Sequence, residues 1–291
     1  FKVGDQLLSV DGQPVSSSGD LKNILTSASV GQTVSLEIRT TSGEVKTTEV
    51  TLQSFSLPDR VAYYILPSFL GLVFLIVSLW IFGLRRSEPA GRAFSMLTSS
   101  LAIVIGALFE LYTSHQFTYF WTLAIGITGG AFIDLGLGFP QEARFVVGRP
   151  HLRWIGYVVG MIIAISTFGT LFNFNDPTAY IDAWGKVYIF AGVSALFYFG
   201  SLLYQAIRSY SPVVKSQSRT ILIGSLFAFG PTVIWILIAR KAFNPYLFLW
   251  MIIFPLVNGY VIMRFRLLRT DYWMRQSLVY ALLTVFVVVA Y

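Results

Sequence analysis

The chain has 291 residues, of which 55% are hydrophobic and only 12% are charged. Water-soluble globular proteins carry about 25% charged residues, so an ordinary soluble fold along the whole length is excluded and lipid is indicated as the main solvent. The absence of cysteine excludes disulfides, thiolate nucleophiles and Cys-ligated metals; the net charge of +7 does not indicate nucleic acid, because its basic excess sits at the ends of apolar runs.

The first 60 residues are different in kind, with five Lys/Arg against seven Asp/Glu. They read as strand, turn, strand, helix, strand, hairpin, strand. Alternation from Asp5 to Val10 runs into an Asp11-Gly12 turn. A Ser/Gly/Asp start opens a short helix from Ser18 to Ala28, with Leu21, Ile24 and Leu25 on one face. Thr33 to Thr40 and Glu44 to Leu52 flank the compact hairpin turn Thr41-Ser42-Gly43. So few large apolar side chains make a marginal core, and the expectation is that part of this unit precedes Phe1. The predicted division is a small α+β domain over 1–54, a linker over 55–60 and a membrane bundle over 61–291.

Seven long apolar runs follow, at 61–83, 93–112, 117–139, 155–174, 187–207, 220–239 and 245–263, and an eighth begins at 276–291. About 20 apolar residues cross the hydrocarbon core of a bilayer. Backbone groups cannot go unpaired there, so the runs predict helices. Four alternate connections hold thirteen basic residues, among them Arg85, Arg144, Arg208 and Arg264, while the intervening ones hold only Lys186, Arg240 and Lys241. Basic residues are retained on the cytoplasmic side. The expected protein is therefore a multi-pass protein of the cell membrane with residues 1–60 extracytoplasmic. The fold class is a mainly α polytopic helix bundle of seven spans plus a truncated eighth, with a partial α+β domain in front.

Two resemblances add to this reading. The segment Phe1-Lys2-Val3-Gly4-Asp5-Gln6-Leu7-Leu8-Ser9-Val10-Asp11-Gly12-Gln13-Pro14-Val15, continued by Asp20-Leu21 and Gly31-Gln32-Thr33-Val34, resembles the second half of a PDZ domain. PDZ domains add an extended peptide beside a strand and a helix. The resemblance implies that Asp20, Leu21, Ile24 and Leu25 belong to the helix of such a groove, whose receiving strand and carboxylate loop would precede Phe1. A domain that serves only as a spacer is the alternative.

Phe139-Pro140, followed by Glu142 and Arg144, is similar to an F-P-x-x-R junction. The stretch Met263-Arg264-Phe265-Arg266-Leu267-Leu268-Arg269-Thr270-Asp271, with Arg275 and the following Leu278-Val279-Tyr280, resembles a second stretch of the same proteins. Both occur in the multi-span sensor regions of bacterial histidine kinases, including PDZ-bearing ones built like the competence-pheromone receptor kinase. The chain departs from many of them in carrying Asp134 where an imidazole is expected. The resemblance implies a homodimer, with a cytoplasmic kinase domain and a response regulator downstream. Read physically, Arg264, Arg266, Arg269 and Arg275 form a basic cytoplasmic hinge against anionic headgroups, each worth about 1 kcal/mol; a purely topological role is the alternative.

No catalytic apparatus is expected, and no cofactor. The only two histidines, His115 and His151, fall in connections on opposite sides of the bilayer, and there is no His-Glu-x-x-His, nucleophile elbow or Walker loop. Gly126, Gly129, Gly130, Gly136 and Gly138 fit close helix packing. Ionisable groups in hydrocarbon normally face the bundle interior or water. Glu110, Asp134 and Asn258, with Tyr260 and other aromatics, form a candidate intramembrane cavity for an apolar ligand; the interface is the alternative place for either acid. Tyr180 and Trp184, in the longest outer connection, Asn173 to Lys186, read as interfacial belt residues, with ligand contact as the alternative. The function expected is the receptor portion of a bacterial sensor, detecting a peptide or lipophilic signal. Its rivals are a transporter or channel, or a sensor with a cyclase or phosphatase output.

Overall fold

The computed structural model describes residues 4–173, 176, 178–239 and 245–264. Arg266, Arg269, Arg275 and the eighth apolar run therefore lie outside the described residues.

The amino-terminal part is a four-stranded antiparallel sheet in the order β2-β1-β3-β4, with β1 Gln6–Val10, β2 Gln13–Pro14, β3 Thr33–Arg39 and β4 Val45–Thr51. Asp11 and Gly12 both take positive φ, 48° and 75°, the combination that a two-residue turn between twisted strands requires. Asp11 also fixes β1 to β3, because its Oδ1 accepts from the Ser35 amide at 2.6 Å. Helix α1, Ser18–Ser27, starts on a capping box: the Ser17 hydroxyl takes the Asp20 amide while Asp20 accepts from the Ser17 amide. The described core of this unit is Val10, Val34 and Ile38, as small as the composition predicts.

Helix α2 runs from Leu57 to Arg85, with a π-helical stretch at Val61–Ile65 just before Pro67, where proline has no N–H to continue an α ladder. Then come α3 Pro89–Gly106, the short α4 Leu108–Thr113, α5 Thr118–Gly138, α6 Pro150–Ser166, α7 Ala179–Arg208, α8 Pro212–Ala239 and α9 Pro245–Arg264. Asp5 and Gln6 lie beside Leu111, Thr118, Leu171 and Tyr180 at one end of the bundle. Glu88, Phe139, Val213 and Val261 converge at the other. Successive helices thus alternate in direction, and the two ends are called here the sheet end and the far end.

Among the described residues, five helices are long and apolar enough to cross a membrane: α2, α5, α7, α8 and α9. The second and fourth apolar runs give less than the sequence predicts. The second breaks at Ala107, whose φ and ψ of −92° and 9° leave the helical region. The fourth stops at Ser166, where the Ser166, Thr167 and Thr170 hydroxyls bond back to carbonyls three residues earlier and compete with the helix ladder. Conversely, α7 begins at Ala179 and α8 at Pro212, each eight residues before the predicted run, because scattered polar residues such as Asp182 and Lys215 are carried on helix surface.

Large apolar side chains such as Leu72, Leu79, Ile162, Leu196 and Leu226 stay exposed on the bundle exterior, an arrangement suited to lipid. Inside, Phe74, Phe94, Leu135, Tyr198, Ile221 and Phe254 form one continuous core. Hydroxyls tie the helices together: Ser78 and Ser95 each donate to the other's carbonyl, and Thr128 donates to Ser100. The glycines work as the sequence suggests. A Cβ on Gly160 would stand 2.2 Å from the Gly126 carbonyl oxygen, and one on Gly130 would stand 2.7 Å from the Tyr157 backbone, so α5 and α6 touch through their backbones.

Candidate functional site

A cavity of about 400 Å³ opens at the sheet end, between Asp5 and Gln6 of the small domain and the ends of α4, α5, α6 and α7. Its wall is aromatic. Tyr180 and Trp184 sit one helical turn apart on α7 with ring centroids at 5.1 Å, and Trp184 lies tilted against Trp121 of α5 with centroids at 5.0 Å. The Trp184 indole N–H donates to Thr122 Oγ1 at 3.1 Å, which orients its ring. Across the cavity His115 and Phe172 face each other at 6.5 Å. Both hold left-handed backbone conformations, φ 56° and 61°, which are costly for residues other than glycine and concentrate at functional sites. Tyr180 and Trp184 therefore stand on the first turns of a helix rather than in a loop, a correction to the predicted connection.

Glu110, predicted as an intramembrane ligand residue, supports this cavity from behind. Its Oε1 accepts from the Ser114 hydroxyl at 2.8 Å and the Phe117 amide at 2.9 Å, closing the turn that carries His115.

The far end holds a different constellation. Asp134, on the last turns of α5, is 8% exposed. Its Oδ2 accepts from the Tyr157 hydroxyl at 3.2 Å. Its Oδ1 lies 3.6 Å from Arg153 Nη1 and has no hydrogen-bond partner. Arg153 Nη2 reaches Glu142 at 2.9 Å, so one guanidinium spans two carboxylates. Gly138 makes this possible, since a Cβ there would stand 2.6 Å from Arg153 Nη2. The sequence points to Asp134 but not to Arg153 or Tyr157: the arginine reads as a topology signal, and no spacing joins it to an acid 19 residues earlier on another helix.

The expectation that Glu110, Asp134 and Asn258 line one cavity is not met: Glu110 sits behind the sheet-end cavity, Asp134 lines a far-end one, and Asn258 faces Tyr198 in the packed core. Asn258 is 1% exposed and is engaged in structure: its Oδ1 accepts from Tyr198 at 2.7 Å and its Nδ2 donates to the Phe254 carbonyl at 2.9 Å. The Tyr260 hydroxyl is met by the Arg264 guanidinium, which also stacks 5.3 Å from the ring centroid. In α1, Leu21 and Ile24 are half-buried while Leu25 is 40% exposed, and Asp20 serves the cap. Hydrogen bonds from the Ser16 and Ser17 groups hold the Asp20 carboxyl below its ordinary pKa. Among the described residues no three acidic or histidine side chains are grouped to hold a metal ion.

No curated protein and no solved structure matches the chain. Residues 1–52 match the family described as PDZ domain, and the four-stranded sheet with α1 is the portion matched, so the amino-terminal part of this chain is a PDZ domain joined to a bundle of apolar helices.

Proposed function

We propose that the chain is the membrane-embedded sensing part of a bacterial signalling protein, a receptor that itself catalyses nothing. In this reading the bundle crosses the cell membrane seven times, with α3 and α6 completing the set. The PDZ domain lies outside and the arginine-rich far end faces the cytoplasm. The output is a histidine kinase domain acting on a response regulator, and the working unit is a homodimer.

The single observation that carries the reading is the aromatic cavity between the PDZ domain and the helix ends. Its volume of about 400 Å³ lies within the range of small-ligand sites, roughly 300–1,000 Å³. A peptide side chain or lipophilic group seated there touches both Asp5-Gln6 and Trp184. Such a ligand favours one arrangement of domain and bundle over another, and differential affinity of that kind is what shifts a conformational equilibrium.

Topology and binding are tested separately. The chain has no cysteine, so single thiols introduced at Glu49 and at Arg208 can be labelled with a membrane-impermeant maleimide in intact cells. Labelling at position 49 alone is expected; equal labelling of both overturns the receptor orientation. In the full-length protein, Tyr180→Ala and Trp184→Ala are expected to raise the signal concentration needed for kinase response about tenfold or more. An unchanged response with normal membrane insertion removes the cavity from the mechanism.

A further inference from the structure

The far end carries a second cavity, of about 370 Å³, between α2, α3, α5 and α6. One wall is apolar: Leu75, Leu79, Phe82 and Met96, all exposed on the bundle surface, with Leu79 at 63%. That wall continues the exterior belt of large apolar side chains, so the cavity opens where acyl chains lie. The rest of the lining includes the polar side chains of Arg92, Asp134, Arg153 and Tyr157.

Asp134 is the informative residue. It is 8% exposed, it lines this cavity, and it has few hydrogen bonds for a carboxylate. Oδ2 is taken by Tyr157, while Oδ1 stands 3.6 Å from Arg153 Nη1, beyond hydrogen-bond reach. Leaving a buried acceptor without a donor costs about 1–3 kcal/mol, and the Ser78 and Ser95 hydroxyls that also line the space are committed to each other's carbonyls. Oδ1 thus keeps only the long ion-pair contact with Arg153, and the carboxyl is short of hydrogen-bond donors where the residue meets the cavity. Two guanidiniums border the same space. Arg92 is held at the rim by its bonds to the Arg86 and Ser87 carbonyls, and Arg153 is held by Glu142. Guanidiniums in such positions match phosphate oxygens.

We infer that this cavity seats a membrane phospholipid whose head carries a primary ammonium beside its phosphate, with the ammonium paired to the Asp134 carboxyl, the phosphate between Arg92 and Arg153, and an acyl chain along Leu75, Leu79 and Met96. The chemistry separates this lipid from its neighbours. A quaternary ammonium has no N–H to give Asp134, and a glycerol head brings no positive charge to it. The site is independent of the cavity at the sheet end and requires only that the bundle stand in lipid.

The test is lipid retention by the full chain, purified from membranes, exchanged into mixed nanodiscs and read by native mass spectrometry. Phosphatidylethanolamine is expected to be retained about tenfold over phosphatidylcholine, with one molecule held per chain. Asp134→Asn is expected to bring that ratio close to one, Arg92→Gln to weaken retention of both lipids, and Ser99→Phe, which fills the cavity away from the charged groups, to abolish it. Equal retention of the two lipids by the unaltered chain overturns the proposal, as does an undiminished ratio in Asp134→Asn. Release of the lipid by soluble phosphoethanolamine overturns the membrane source, assigning the site to a free ligand. Should Asp134→Asn fail to fold, Ser99→Phe decides, since retention unaffected by a filled cavity places the lipid elsewhere.

Discussion

The Tyr198 hydroxyl donates to Asn258 Oδ1 over 2.7 Å at a point where both side chains are buried. It joins the middle of α7 to α9, and Asn258 passes the connection on to its own helix through Phe254. Tyr198→Phe leaves the amide oxygen without a donor. Interhelical hydrogen bonds in membranes average only about 0.6 kcal/mol, but an orphaned buried acceptor costs about 1–3 kcal/mol, and the second effect governs here. The expected loss is thus about 1–2 kcal/mol in denaturant titrations of the micellar protein. Adding Asn258→Leu to Tyr198→Phe is expected to recover part of it, and a strictly additive double variant would show that the pair is not coupled.

Gly160 and Gly192 make a matched contrast. A methyl on Gly160 meets the Gly126 carbonyl oxygen at 2.2 Å, whereas nothing lies within 4 Å of one on Gly192. Gly160→Ala must push α5 and α6 apart and is expected to cost about 1–3 kcal/mol. Gly192→Ala, inside α7, is expected to stabilise by about 0.5–1 kcal/mol. Thermal midpoints of the two variants moving in opposite directions check this.

Arg153 is the partner that the Asp134 carboxyl depends on. Its removal as Arg153→Ala leaves a buried acid with only the Tyr157 hydroxyl. Breaking a buried pair on one side costs about 3–5 kcal/mol, so a large fall in unfolding midpoint is expected. Arg149→Ala, at an exposed position four residues earlier, serves as the control and is expected to change little. The double variant Arg153→Met with Asp134→Asn is expected to recover most of the stability, because it removes both charges.

Asp20 gives the PDZ domain a dependence on pH. Its carboxyl accepts from Ser16 Oγ and from the Ser16 and Ser17 amides, and the Ser16 hydroxyl is the largest cause of a pKa below the ordinary 3.8. A depressed carboxyl contributes stability that is fully present above its unfolded value and is lost as pH falls through the native one. Hydrogen exchange across Ser18–Ser27 is therefore expected to be slower in the unaltered chain than in Asp20→Ala at neutral pH. The two should converge as acid protonates the carboxyl, and a difference that stays constant however far the pH falls below 3.8 would contradict the assignment.

Much of the architecture is legible in the sequence where local chemistry decides it. Asp11-Gly12 specifies a positive-φ turn, Ser17 and Asp20 specify a helix start, and the long apolar runs specify helices. The limits of those helices are less legible, because Asp182 and Lys186 look like loop residues until packing places them on one exposed face of α7. The break at Ala107 has no marker of its own beyond the contact that Gly106 makes with Gly71. The candidate sites divide in the same way. Trp184 could be named from its aromatic neighbourhood, but its position beside His115 and Phe172 depends on three separate segments meeting. Arg153 could not be paired with Asp134, since that contact arises from the backbone approach of α5 and α6 at Gly130 and Gly156.

Helix α7 has 30 residues, a rod of about 45 Å at 1.5 Å per residue. Trp184 stands near its upper end, and near its lower end Ser201 donates to the Gly136 carbonyl while Gln205 accepts from the Gln141 amide. A small tilt imposed at the indole is levered to those two bonds without any relay through intervening side chains. The segment just after Phe139-Pro140 thus hangs from the same beam as the aromatic mouth, which is the connection the proposed receptor requires.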